Sequence, residues 1–161
     1  MNAEMEAKAT KLKNMLDGLV QEKSLTSEQA DFIHQEAIAR QFNDDVLSST
    51  DDLISYTGWM VTRITGIGEF WFSSWSGNFI MHGPIYTAIG AGFFPYARME
   101  IQTSYDHDGA TGYLLYFIVP TYMGFTFYAD ENHNIPIGNG KAGGVEVGGG
   151  TGPGSFSIGK S

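Results

Sequence analysis

Cysteine is absent from this chain of 161 residues. Disulfides, thiolate nucleophiles and cysteine-ligated zinc are therefore excluded. Long apolar runs are missing as well, since no segment reaches the 18 or more consecutive apolar residues of a membrane-spanning helix. Positive charge is scarce, because nine Lys and Arg stand against 18 Asp and Glu, for a formal net charge of −9. An acidic balance of this size predicts no nucleic-acid partner.

Glycine and aromatic residues are rare in residues 1–52, which hold one of the 21 glycines, two of the 22 aromatics and 11 of the 18 acidic residues. Apolar residues recur there at helical spacing, which predicts a first helix with one apolar face: Met5, Ala9, Leu12, Leu16, Leu19. Thr26 with Gln29 is typical of a capping box that starts a second helix. We predict a helical hairpin and linker in 1–52 and a second domain in 53–161.

The second domain consists of short strand patterns separated by turn signals. Eight strands are predicted: 57–65, 67–75, 78–82, 84–91, 97–104, 113–119, 122–129 and 143–149. No helical pattern interrupts them, which is typical of an antiparallel barrel or sandwich. A closed barrel is favoured because closure removes the edges that such aromatic strands would expose. We predict an all-β fold, a closed eight-stranded antiparallel barrel with an N-terminal helical arm, and a flexible Gly-rich tail.

Two glycine-rich motifs imitate nucleotide-binding loops. The letters "GSFSIGKS" (154–161) fit G-x-x-x-x-G-K-[ST], but that loop works only when a helix follows and holds the phosphates at its N-terminus. Gly138, Gly140 and Gly143 form G-x-G-x-x-G, but a strand pattern follows them rather than a helix. We therefore predict no nucleotide partner and no cofactor.

Two turns carry histidine beside carboxylates. Asp106, His107 and Asp108 could bind a metal or work as acid and base, although Asp-Gly between two strands is typical of a solvated hairpin turn. The turn that contains Asp130 and His133 has the same two interpretations. If both turns lie at one end of the barrel, the two clusters could combine into a site.

His82 lies at a predicted strand end, where a structural role is favoured over that of a ligand. The sequence shows no Ser-His-Asp spacing, no H-E-x-x-H and no pair of catalytic carboxylates. We predict no catalytic residues, no metal site and no enzyme activity.

The segment "EFWFSSWSGNF" (69–79) is unusually aromatic. In a strand, Phe70 and Phe72 share one face while Trp71 and Trp75 share the other. The helical arm could cover the second face. The other hypothesis is that these four residues form an exposed patch that contacts a membrane or a partner, since Trp favours membrane interfaces.

The stretch "TGYLLYFIVPTYMGFTFYADENHNIPIGNGKAGGVEVGGGTGPGSF" (111–156) resembles the C-terminal part of the virulence-associated (Vap) proteins of pathogenic actinobacteria. The matching residues are Thr121, Tyr122, Phe125, Phe127, Tyr128, Asp130, Gly144, Val145, 148–152 and Phe156. The resemblance implies a compact eight-stranded barrel that is secreted and acts on host endosomal compartments. No enzyme activity is established for that family, so it supplies no catalytic residues. The chain departs from the family in its helical N-terminus, which shows no signal peptide, so a cytoplasmic location is the alternative.

These observations predict a non-enzymatic, virulence-associated effector-like barrel that works by contact with host endosomal membranes or a protein partner. A barrel that binds a small apolar ligand, and an enzyme with a loop-borne His/Asp site, are the alternatives. Because the pI is about 4.7, acidic compartments should weaken repulsion from anionic lipid. His82, His107 and His133 are the barrel's candidate pH sensors.

Overall fold

The structure is a computed structural model that describes residues 1–43, 46–49, 52–65, 67–86, 92–146 and 150–161. Two helices come first, α1 (Ala3–Gln21) and α2 (Ser27–Ala39). The described strands are β1 (Val46–Ser49), β2 (Leu53–Thr65), β3 (Ile67–Ser74), β4 (Phe79–Ile85), β5 (Gly92–Gln102), β6 (Thr111–Val119), β7 (Tyr122–Tyr128), β8 (Pro136–Glu146) and β9 (Gly150–Lys160). A 3-10 turn at Thr103–Tyr105 follows β5.

The strands from β2 to β9 close into a barrel. Each pairs antiparallel with two neighbours in the order β2-β3-β4-β9-β6-β7-β8-β5, and β5 pairs back onto β2. The predicted closed eight-stranded antiparallel barrel with an N-terminal helical arm is confirmed. In this ring β6 and β7 lie opposite β2 and β3, so the two pairs present their outer faces in opposite directions.

Both helices begin at side-chain caps. Asn2 Oδ1 accepts a hydrogen bond from the Met5 backbone N–H at 2.8 Å, which caps α1. The predicted capping box of α2 is confirmed, because Thr26 Oγ1 accepts from the Gln29 N–H and Gln29 Oε1 accepts from the Thr26 N–H. These bonds satisfy backbone donors that a helix start leaves without a partner. The two helices form an antiparallel hairpin, which we call the arm.

Two of the predicted strands form a single strand in the structure. The patterns at 78–82 and 84–91 were separated at a Gly-Pro pair, but β4 runs continuously from Phe79 to Ile85, and residues 87–91 lie outside the described part. Gly83 permits this, since a Cβ there would come 2.0 Å from the Ser155 carbonyl oxygen. The glycine therefore marks a close approach of two strands, not a turn.

The eighth strand of the barrel is the Gly-rich tail. The flexible end predicted for it is wrong, because β9 pairs with both β4 and β6 over most of its length. Gly154 faces crowded surroundings, since a Cβ there would lie 2.6 Å from the Pro84 carbonyl oxygen. The phosphate-loop look-alike at 154–161 therefore lies almost wholly in a β-strand.

The polar linker also contains a strand. β1 pairs with the first part of β2, where Ser49 lies opposite Ile54. β3 pairs with β2 only from Gly58 onward, so the edge of β2 before Gly58 is open on that side and β1 occupies it.

Two apolar cores share the wall of the barrel. The interior is filled by inward side chains whose rings pack closely, such as Tyr56 on Phe79 with centroids 4.3 Å apart. The second core lies outside the wall, where the arm packs on outward residues of β2 and β3.

Candidate functional site

The aromatic segment of β3 is divided between the two cores. Phe70 and Phe72 point into the barrel and are fully buried there. Trp75 is buried on the other side beneath the arm, with Trp59 and Val61 of β2 beside it. In this conformation these residues are not accessible to a membrane or a partner.

Trp71 lies at the edge of the arm. Its side chain packs partly against the core beneath the helices, and its ring stacks on His82 with centroids 4.9 Å apart. The indole N–H of Trp71 is buried without a hydrogen-bond partner, as is that of Trp59. The arm thus covers Trp75 fully and Trp71 in part, which agrees with the hypothesis that the arm covers the second face of the aromatic segment.

Charged and aromatic contacts hold the arm on the barrel. Arg63 of β2 pairs with Glu22 at the end of α1, and the Arg63 side chain is only 18% exposed. Arg40 at the end of α2 lies over the Trp75 ring, with its guanidinium carbon 4.7 Å from the centroid. Both helix ends are therefore tied to the wall of the barrel.

The turn at 106–108 is a structural lock. Asp106 accepts hydrogen bonds from the Tyr56 hydroxyl at 2.9 Å and from Lys160 Nζ at 2.7 Å. Asp108 Oδ1 accepts from the Lys160 backbone N–H at 3.0 Å. Asp106 and Asp108 thus fasten the end of β9 to this turn, while the neighbouring His107 is exposed.

The contacts within the lock shift the pKa values of two of its residues, Tyr56 and Lys160. Burial raises the pKa of Tyr56 to about 12, with the nearby Asp106 carboxylate adding to the rise. Burial alone would lower the pKa of Lys160, but hydrogen bonds to Asp106 and Tyr56 outweigh it, so that pKa is raised. Tyr56 therefore stays neutral and Lys160 stays positively charged over the whole physiological range.

The second turn satisfies its own backbone. Asp130 accepts hydrogen bonds from the backbone N–H groups of Asn134 and Ile135, which closes the turn on its own carboxylate. His133 adopts a left-handed backbone conformation with φ of 58° and contacts the Tyr128 ring edge-on at 5.1 Å. Both turns lie at the same end of the barrel, because Tyr113 of β6 pairs with Tyr128 of β7. Even so, the described residues contain no group of three or more His, Asp or Glu placed to hold a metal.

A groove on the outer wall contains a constellation that the sequence analysis missed. His82 Nε2 lies 3.3 Å from Ser157 Oγ, and His82 Nδ1 lies 3.9 Å from Glu69 Oε1. The other oxygen of Glu69 accepts from Arg63 at 2.9 Å. These residues come from four different strands, so no local spacing could have predicted them. The cross-strand register of β4 and β9, which places His82 opposite Ser157, is the signal that brings them together.

The groove crosses β3, β4, β9 and β6 and has a volume of about 760 Å³. Its central outward positions carry small side chains, Pro84, Ser155 and Ser157. Taller side chains stand around them: Glu69, His82, Tyr86 and Tyr113. None of the lining residues in the described part is Lys or Arg. We call this feature the polar groove.

Ser157, His82 and Glu69 stand in the contact order of a serine hydrolase relay. Such a relay also needs an oxyanion hole of free N–H donors near the serine. Ser157 lies within β9, and it faces both His82 of β4 and Thr111 of β6 in the ladders. Strand backbone that is paired on both sides has its N–H groups engaged in the sheet, so this arrangement favours binding over acyl transfer.

An exposed apolar strip lies opposite the arm. Leu115, Phe117 and Val119 point outward along β6, and Phe117 and Val119 are 44% and 45% exposed. Tyr122 of β7 stands beside them, with its ring centroid 5.5 Å from that of Phe117. Gly124 makes room for this packing, because a Cβ there would meet the Phe117 ring at 2.3 Å. We call these four outward residues the apolar strip.

Charge is missing around the apolar strip. Residues 109–129 contain no charged side chain, and neither do residues 147–159. Among the described side chains, the nearest charged one in the register is that of Lys141 on β8, opposite Gly124, and it is exposed. This side of an otherwise acidic protein therefore offers apolar surface with a cation at its margin.

Among the described residues, no helix is both long enough and apolar enough to cross a membrane. A comparison with models of known protein families finds none that matches this chain, and a comparison with curated proteins finds no significant relative. The resemblance to the Vap family therefore stays a hypothesis.

Proposed function

We propose that this protein is a non-enzymatic barrel that acts by contact with a lipid membrane through the apolar strip. The resemblance to Vap proteins extends the proposal to a secreted, virulence-associated effector that meets host endosomal membranes. The observation that carries the proposal is the uncharged, aromatic outer face of β6 and β7. Scattered apolar residues are normal on protein surfaces, but a contiguous patch marks an interaction site.

The composition of the apolar strip favours a lipid surface. Transfer of Phe, Leu and Val side chains from water into an apolar phase is favourable, and the Tyr122 hydroxyl can remain at the polar boundary of the bilayer. Lys141 at the margin suits the phosphate layer of a bilayer. The filled interior of the barrel, by contrast, gives less support to the alternative of a small apolar ligand held inside.

Acidic pH should strengthen the contact. At neutral pH the charge of −9 repels anionic lipid, and this repulsion fades as the pH approaches the pI of about 4.7. The apolar strip has no acidic side chain of its own, so its approach to the bilayer is limited by the charge of the rest of the protein.

The test is co-sedimentation of the full chain with vesicles of phosphatidylcholine and phosphatidylserine, at about pH 5 and about pH 7.5. The Leu115→Glu/Val119→Glu variant places two carboxylates on the apolar strip. Tyr96→Glu is the matched control, since Tyr96 is exposed on β5 outside the strip. We expect binding of the parent and the control at the lower pH and loss of binding by the double variant.

Equal binding by the parent and the double variant would refute the apolar strip as the contact. If none of the three binds vesicles, the membrane proposal fails, and a protein partner becomes the occupant to test. Non-enzymatic action predicts in addition that a serine-reactive fluorophosphonate leaves Ser157 unlabelled, which mass spectrometry would check. A label on Ser157 that depends on His82 would show an activated nucleophile instead.

A further inference from the structure

The polar groove and the apolar strip are two parts of one surface. The outward residues of β6 are, in order, Thr111, Tyr113, Leu115, Phe117 and Val119. The first two line the polar groove and the last three belong to the apolar strip. Outward neighbours on a strand are about 7 Å apart, so the step from Tyr113 to Leu115 joins the two regions without a gap. The surface suits a ligand that is polar at one end and apolar at the other.

We propose that the polar groove binds the sugar headgroup of a glycolipid whose acyl chains lie in the bilayer that the apolar strip contacts. The inference rests on the proposed membrane contact and names a lipid class for it. The volume of about 760 Å³ lies within the ordinary range of small-molecule sites.

The chemistry of the polar groove fits an uncharged polyol. Ser155, Ser157 and Thr111 offer hydroxyls that both donate and accept, as sugar hydroxyls do. Tyr86 and Tyr113 add aromatic rings against which the C–H face of a sugar can pack, and Tyr86 Oη lies 3.4 Å from Ser155 Oγ. Hydroxyls and rings of this kind recognise neutral ligands rather than ions.

A phosphate headgroup fits the polar groove poorly. Among the residues that the structure describes, its lining contains the Glu69 carboxylate and neither Lys nor Arg. The nearby Arg63 is already engaged by Glu69 and by Glu22 of the arm. A phosphate would therefore meet a negative side chain without a free cation, whereas a sugar hydroxyl can donate to Glu69 Oε1.

The His82 side chain is held in a fixed position at the edge of the polar groove. Its ring is stacked on Trp71 and contacts Ser157, so it faces the ligand space without having to be ordered first. Preorganised groups lose little entropy on binding. Trp71 also provides a reporter, since a ligand that touches His82 changes the surroundings of the indole.

The test compares full-length protein on three kinds of phosphatidylcholine vesicle near pH 5, each with a minor fraction of glucosylceramide, galactosylceramide or unglycosylated ceramide. The ceramide vesicles have the same apolar anchor without a sugar. Removal of one or two hydrogen bonds costs roughly a factor of ten in affinity, so we expect retention on a glycosylated vesicle to be about tenfold stronger than on ceramide.

Tyr86→Ala and Ser157→Ala should abolish this preference for the glycosylated vesicles. Both variants should bind phosphatidylserine-containing vesicles as the parent does, because neither changes the apolar strip. Tyr96→Ala is the control for the loss of an exposed tyrosine. Methyl glucoside and methyl galactoside, tested by Trp fluorescence, show whether a free sugar suffices or whether the lipid is needed.

Each result decides a different claim. Equal retention on all three vesicles, with binding to phosphatidylserine-containing vesicles intact, overturns the inference and leaves the membrane contact standing. A preference that survives both groove variants overturns it as well. If no vesicle is bound but a free glycoside quenches Trp fluorescence and Tyr86→Ala abolishes that signal, the groove is a sugar site and the membrane contact fails. Absence of both signals overturns both claims.

Discussion

Opposite sides of the barrel are built from similar strands but have different surroundings. On the β2–β3 side the outward Trp59, Val61 and Trp75 are at most 3% exposed, because the arm covers them. On the β6–β7 side the outward Phe117 and Val119 are more than 40% exposed. A strand that is apolar on both faces therefore needs a partner for its outer face. On one side the chain supplies that partner, and on the other we propose that a membrane does.

The largest expected effect separates the covered side from the open side. Ile33 of α2 is fully buried between the arm and the wall, so Ile33→Ala should lower the free energy of unfolding by about 2–5 kcal/mol. Leu115→Ala on the apolar strip is the matched truncation and should cost less than about 1 kcal/mol. Denaturant titration followed by circular dichroism measures both. Similar costs for the two variants would mean that the two sides do not differ energetically.

A smaller effect on stability is expected from the lock, which lies at the end of the barrel and belongs to neither the covered side nor the open side. The pKa of Tyr56 is raised from 10.0 to about 12 on folding, so the native state keeps a proton that the unfolded state has lost between these values. Stability that is fully present below pH 10 should therefore fall as the pH rises towards 12, by roughly 2–3 kcal/mol.

The raised pKa of Lys160 acts in the same alkaline direction. In the Tyr56→Phe variant the decline should be shallower, since the contribution of Tyr56 is gone and only that of Lys160 remains. Unfolding midpoints across the alkaline range measure this. Identical pH profiles for the parent and Tyr56→Phe would count against the lock.

The smallest expected effect comes from a substitution that loosens the arm without removing it. Arg63→Met removes the pairs with Glu22 and Glu69 and should cost about 1–2 kcal/mol, because the Arg63 side chain is mostly buried. Hydrogen exchange should increase in α1 more than in β6. Arg98→Met is the control, since Arg98 pairs with Glu100 on β5 and is more exposed. Uniform exchange changes in α1 and β6 would show that Arg63 does not hold the arm specifically.

Much of the fold could be predicted from the sequence because its signals are local. The capping box at Thr26 and the turn signals between the strand patterns each depend on neighbours within a few residues. The number of barrel strands, eight, was correct, but one predicted pair of strands is the single strand β4, and β9 was not predicted as a strand. The Gly-Pro pair in β4 imitates a turn, and the glycines of β9 imitate a flexible tail. Both segments need glycine because a neighbouring backbone lies too close for a Cβ.

The candidate site was hidden for a different reason. Glu69, His82 and Ser157 are 13 and 75 residues apart and meet only through the ring order, which places β9 between β4 and β6. β6 carries apolar residues on both faces, but the sequence does not say which outer faces the arm covers. Strand register and coverage by the arm are both tertiary properties. Together they decide that the polar groove and the apolar strip stay open to solvent while Trp59 and Trp75 are buried.

The absence of cysteine allows the central claim to be tested at single positions. A nitroxide attached to Val119→Cys should lose accessibility to a water-soluble relaxation agent and gain accessibility to oxygen when vesicles are added near pH 5. The same label at Tyr96→Cys should show no change. This result would place the apolar strip in the bilayer. Equal accessibility changes at the two positions, or no change at Val119 although the protein sediments with vesicles, would contradict the account.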